Sequence, residues 1–97
     1  MNILILSPES LSELEHYAEL RYSISQIATM LRVDPGNLRI AIQGGNNDIA
    51  EAYNAGKTKS SVARRELILA MANNGQEWAV KLLDKYEKDQ LEDELRP

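Results

Sequence analysis

Residues 25–42 read SQIATMLRVDPGNLRIAI. Ile27, Ala28, Leu31, Val33, Leu38 and Ile42 recur there at helical spacing on either side of a short break. Ile27, Ala28 and Leu31 form the inner stripe of a helix from about Ser25 to Leu31. It is barely two turns long and cannot persist without a partner. Arg32-Val33 makes the turn. Asp34 is a strong N-cap, because its carboxylate accepts the free amides of the next turn, and Pro35 suits a first helical position. The next helix therefore runs from Pro35 to about Gln43, with Leu38, Ala41 and Ile42 inward. Ala28 is small where the two helices cross, and Val33 fills the turn between them.

The order "isoleucine-alanine, then leucine, then valine and a capping residue" resembles the helix-turn-helix family. In DNA-binding members the abruptly started second helix presents its first turn to the major groove. That resemblance points Gly36, Asn37, Arg39, Ile40 and Gln43 outward. Asn and Gln side chains pair with adenine and Arg with guanine, Gly36 permits close approach, and Arg32 and Arg21 fall beside phosphates. Two positions depart from the pattern: Arg32 stands where Gly is common, and Ala41 where a bulky aromatic is common. The same spacing also serves a trihelical packing module that meets no DNA.

The signals outward from this motif are helical, with no alternating run and hairpin punctuation. Ser7-Pro8-Glu9 starts a first helix, with a cap, a first-turn proline and an acid on the positive end of the dipole. Leu11, Leu14, Tyr17 or Ala18, and Leu20 or Arg21 carry it to about Tyr22. Ser23 or Ser25 caps the helix after it. Gly44-Gly45-Asn46-Asn47 is the clearest break. Asp48 is then expected to cap a long helix from Ile49 to about Ala72, in which Gly56 costs roughly 1 kcal/mol unless something packs closely against it. Asn73-Asn74-Gly75 ends that helix, and a fifth runs from about Gln76 through Lys88. The expected fold is all-α: an N-terminal trihelical helix-turn-helix followed by a long helix and a shorter antiparallel helix. Residues 1–45 would be the DNA-binding domain, 46–88 an oligomerising hairpin, and 89–97 an acidic tail that extends the fifth helix or stands apart.

The net charge of −4 argues by itself against nucleic acid, but it is unevenly placed. Residues 1–20 carry four glutamates and no Lys or Arg. Residues 21–65 carry Arg21, Arg32, Arg39, Lys57, Lys59, Arg64 and Arg65 against Asp34, Asp48 and Glu51. A basic middle between acidic ends suits a local DNA-binding surface and equally an ordinary mixed-charge exterior. Lys57, Lys59, Arg64 and Arg65 would touch DNA, line a channel, or pair with Glu51 and Glu66 at helical spacing.

No catalytic machinery is legible, and no cofactor or metal is expected. Cysteine is absent, which removes thiol nucleophiles, thiolate metal sites and disulfides. The lone His16 lies among glutamates, as a surface histidine does, and Gly44-Gly45 lacks the strand before it and the Lys-Ser/Thr after it that a phosphate loop needs. The run Ile3-Leu4-Ile5-Leu6 is too short for a signal peptide, and no stretch approaches the roughly 20 apolar residues of a membrane span. A soluble, intracellular protein without a membrane partner is expected.

Asn47-Asp-Ile-Ala-Glu-Ala-Tyr-Asn-Ala-Gly-Lys57 follows directly on the helix-turn-helix. Then come Arg64-Arg65-Glu66-Leu67, an Ala-rich stretch, Asn74-Gly75 and Lys81-Leu82-Leu83. In this order the segments resemble the small terminase subunits of tailed phages and related prophage proteins, over roughly residues 20–86. The resemblance implies double-stranded DNA as ligand, a homo-oligomer that can close into a ring, the large terminase subunit as partner, no activity of its own, and the cytoplasm of a bacterial host as location. The residues themselves also suggest self-association. Val62 to Ala72 is apolar on more than one face, which requires cover on both sides, and Val62, Leu69 and Met71 are the candidate interface. A helix-turn-helix transcriptional regulator, and a helical interaction module without DNA, are the alternatives.

Overall fold

The computed structural model describes residues 3–96. It has five α-helices and, among the described residues, no strand: α1 (Pro8–Glu19), α2 (Ile24–Leu31), α3 (Pro35–Gly44), α4 (Asp48–Asn73) and α5 (Glu77–Glu94). The chain is all-α, as expected. It divides into two compact units, Met1–Ser61 and Val62–Pro97, with α4 contributing to each. Among the described residues no helix is long and apolar enough to cross a membrane.

Three helices of the first unit start at caps that can be read from the sequence, with one boundary shifted. Ser7 Oγ accepts the Ser10 N–H at 3.1 Å, ahead of Pro8. Asp34 Oδ2 accepts the Asn37 N–H at 2.9 Å, ahead of Pro35. Of the two serines open as caps for α2, Ser23 takes the role. It accepts the Gln26 N–H at 3.1 Å while Gln26 Oε1 accepts the Ser23 N–H at 2.9 Å, a reciprocal capping box. α1 accordingly stops at Glu19, short of the Tyr22 expected, because Arg21 turns into the left-handed region at φ 67°.

α4 also begins differently. Asn47, not Asp48, is the capping side chain: its Oδ1 accepts the Ala50 N–H at 2.8 Å. Its Nδ2 donates to the Ala41 carbonyl of α3, also at 2.8 Å. An amide can accept and donate at once, so one side chain ends α3 and starts α4; the carboxylate of Asp48 could only accept.

The core of the first unit is Leu14 and Ala18 from α1, Ile27 and Ala28 from α2, Leu38 from α3 and Ile49 from α4. Leu31, Val33, Ala41 and Ile42 pack against it, as do Leu4 and Leu6 of the segment before α1. Of these, the positions within α1 to α3 are the inward ones that helical spacing predicts. Gly56 explains itself here. A Cβ at this position would run into the backbone carbonyl of Glu15 and sit 2.8 Å from the Ala18 methyl, so α1 and α4 approach as closely as backbones allow. Beside that crossing Lys59 binds Glu15, and Arg21 Nε donates to Ser60 Oγ at 2.8 Å.

The second unit is a helical hairpin. Gly75, at φ 84°, turns the chain between α4 and α5. α5 continues to Glu94, so most of the acidic tail extends the helix rather than standing apart. Only Ile68 and Ala79 are buried among its described residues. The Arg65 guanidinium lies 3.8 Å over the Tyr86 ring, a cation–π contact that joins the two helices.

Candidate nucleic-acid interface

α3 is positioned by Leu38, which is fully buried, and by Ala41 and Ile42 at the core margin. Rotation about the helix then leaves Gly36, Arg39, Ile40 and Gln43 along the opposite side or its margin, with Asn37 beside them. Five of the seven residues singled out from the sequence for DNA thus share one face or its edge. Arg39 reaches toward Ser25 Oγ at 3.5 Å, a weak contact that leaves the guanidinium largely free.

The remaining two, Arg21 and Arg32, have something in common that their spacing does not reveal. They are the only non-glycine residues with positive φ among the described residues, at 67° and 59°. Each stands at the left-handed position of a Schellman closure. Tyr22 N–H donates to Tyr17 O and Arg21 N–H to Ala18 O at the end of α1. Val33 N–H donates to Ala28 O and Arg32 N–H to Thr29 O at the end of α2. Glycine is the usual occupant, because a side chain there costs roughly 1–2 kcal/mol. Two arginines therefore bracket α2 at positions that local backbone preference would not assign to them.

Three other basic side chains of the middle segment have partners within the fold. Lys57 lies 5.4 Å over the Tyr53 ring and Arg65 over Tyr86. Lys59 meets Glu15; the hydrogen bond and then the charge of Glu15 hold its ammonium above the usual lysine pKa of 10.5. None of the three forms an ion pair with Glu51 or Glu66 among the described residues.

Two concave surfaces complete the picture. The first, of about 710 Å³, lies beside α3. Asn37, Ile40 and Ala41 line it together with Ile49 and with Ile3 and Ile5 of the segment before α1. The extended run 3–6 turns Leu4 and Leu6 inward and leaves Ile3 and Ile5 78% and 84% exposed. The run is too short to declare itself in the sequence as anything but apolar. The second, of about 540 Å³, lies between α4 and α5 in the hairpin, lined by Val62, Leu69, Leu83 and Tyr86 with Arg65 and Glu66. Val62 and Leu69, two of the three candidate interface residues, sit together there, each about half exposed. Met71 is half-buried and does not line that groove.

No family model matches the chain, and neither does any curated protein or solved structure.

Proposed function

We propose that this chain binds double-stranded DNA through a helix-turn-helix formed by α2 and α3, with the exposed face of α3 entering the major groove. The observation that carries this reading is the pair of left-handed arginines flanking α2, together with the row Gly36, Arg39, Ile40 and Gln43 on α3. Backbone strain persists where a fold over-determines it and clusters where function needs it. A guanidinium at each end of α2 is suited to phosphate oxygens, which orient a protein on the duplex. Asn37, Arg39 and Gln43 carry the donor and acceptor sets that tell bases apart. The turn position that is usually glycine thus becomes a phosphate contact in this reading.

The order of segments along the chain, similar to that of small terminase subunits, supports a place in phage genome packaging: the α4–α5 hairpin would assemble copies and the large terminase subunit would be the partner. Val62 and Leu69 are the hairpin residues that favour self-association, because an isolated pair of helices with two buried side chains has too small a core to stand alone.

Fluorescence anisotropy with labelled duplex, across a salt series, tests the DNA reading. Affinity should fall steeply with salt, and Arg39→Ala combined with Asn37→Ala should cost about 1–3 kcal/mol for each side chain that reads a base. No binding by the parent chain would leave the interaction module as the better reading. Light scattering behind a sizing column tests the packaging context, where a closed ring supports it and a dimer moves the reading to a regulator.

A further inference from the structure

We propose that the Asn37–Ile40 edge of α3 reads an A·T base pair, with Ile40 covering the 5-methyl group of thymine. The inference rests on the DNA-binding reading above and adds the base class that the helix selects. Ile40 is 70% exposed, and its neighbours Arg39 and Gln43 on the same face are polar. It is the only large aliphatic side chain on that face, and packing does not require it: Leu38, Ala41 and Ile42 already make the core contacts of α3. Thymine is the one standard base that offers an apolar group, its methyl, in the major groove. An isoleucine set in a polar row is the complement of that group.

Asn37 completes the edge. Its backbone N–H is used by Asp34, while its side-chain amide makes no hydrogen bond among the described residues. It lines the same pocket as Ile40. Three residues of helix advance about 4.5 Å, close to the roughly 3.4 Å rise of one base pair, so the two side chains meet the same or adjacent pairs. An amide opposite adenine and an aliphatic group opposite the thymine methyl both select A·T.

The test begins with duplexes enriched by the full chain from a randomised library. In the best-bound duplex each thymine is replaced singly by deoxyuridine, which removes only the methyl. At one position the parent should lose about fourfold in affinity, the worth of one buried methyl. Ile40→Ala should bind that thymine duplex about as weakly and be indifferent to the replacement. Ile40 is exposed, so the variant should melt as the parent does, and Ile40→Val should keep a partial response. If the library yields selectively bound duplexes but no thymine methyl couples to Ile40, the inference is overturned and the DNA reading stands. If no duplex is bound, both fall. If Ile40→Ala and Ile5→Ser instead lower the assembly mass while every thymine remains replaceable, the patch is a protein interface and the inference is again overturned.

Discussion

The two units differ in where they place their special residues, although α3 of the first unit, like α4, ends at a left-handed glycine, Gly45 at φ 73°. In the hairpin, the left-handed turn between α4 and α5 is closed by Gly75, and around it there is open space. In the first unit the same kind of closure occurs twice, after α1 and after α2, each time with an arginine in the left-handed position, while a glycine sits in the middle of a helix. The hairpin follows local backbone preference, with glycine where φ is positive and none inside a helix. The first unit departs from it three times. Gly56 is accounted for by packing, because α1 and α4 touch at that point. Arg21 and Arg32 are accounted for by no packing of comparable weight. Arg21 has its single bond to Ser60, and Arg32 has no side-chain hydrogen bond among the described residues. Departures that packing explains belong to stability, and departures that it leaves over are where function is to be sought.

The largest effect should come from restoring the helix rule at Gly56. On an exposed helix, Gly→Ala gains roughly 1 kcal/mol. Here the new methyl would overlap the Glu15 carbonyl and crowd Ala18, neither of which can swing aside. Gly56→Ala should therefore destabilise by about 1–3 kcal/mol, the usual cost of overpacking. Urea unfolding followed by circular dichroism measures it, and a stabilised variant would mean that the helices do not cross as closely as described.

An intermediate pair of effects separates the two kinds of turn. Gly75→Ala forces a methyl into the left-handed region at φ 84° and should cost about 1–2 kcal/mol. Arg32→Gly does the reverse. It relieves the same strain, less the entropy a glycine loses on folding, for a gain of about 0.5–1 kcal/mol. In the same variant DNA affinity should drop and the salt slope should shrink by about one unit, the signature of one phosphate partner fewer. A chain that is both firmer and a weaker binder would show that the arginine is kept for its ligand. A firmer chain that binds DNA as before would detach the strained turn from function.

Much of the first unit is legible because its signals are local. The Ser7 and Asp34 caps, the prolines after them and the stripe Leu14, Ile27, Ala28, Leu38 each depend on residues a few positions apart. Three features are not legible, for distinct reasons. Asn47 and Asp48 are both good caps in isolation, and only the nearby Ala41 carbonyl, which needs a donor, selects the amide. The left-handed backbone of Arg21 and Arg32 runs against residue preference, so no propensity argument finds it; the helix-turn-helix pattern marks Arg32 only as a departure. The pocket behind Ile40 joins residues 3–5 to residues 37–49, a pairing that no periodicity within one segment encodes. In the hairpin, helical spacing separates the face of Val62 and Leu69 from that of Leu67, and the groove is lined by the first two and not the third. Met71, the third candidate interface residue, is not grouped with them by spacing. Two residues past Leu69, it is turned by about 200° around the helix axis, away from the groove.

The smallest effect is set by pH and lies at the same crossing as Gly56. Glu15 lends its carbonyl to the close approach and its carboxylate to Lys59. That contact raises the lysine pKa above 10.5, so the native state binds the proton more tightly than the unfolded chain does. The resulting stability is fully present below the unfolded value of 10.5 and is lost as pH climbs through the higher native one. Both side chains are substantially exposed, so screening by water and salt keeps the contribution small. The urea midpoint of Lys59→Met, which keeps an apolar stem and removes the charge, should fall slightly below that of the parent at neutral pH, and the gap should close in alkali. In a Gly56→Ala background the gap should already be closed at neutral pH, because pushing α1 from α4 draws Glu15 out of reach. A gap that survives there would mean that the ion pair forms independently of the helix crossing, and that the glycine serves the backbone contact alone.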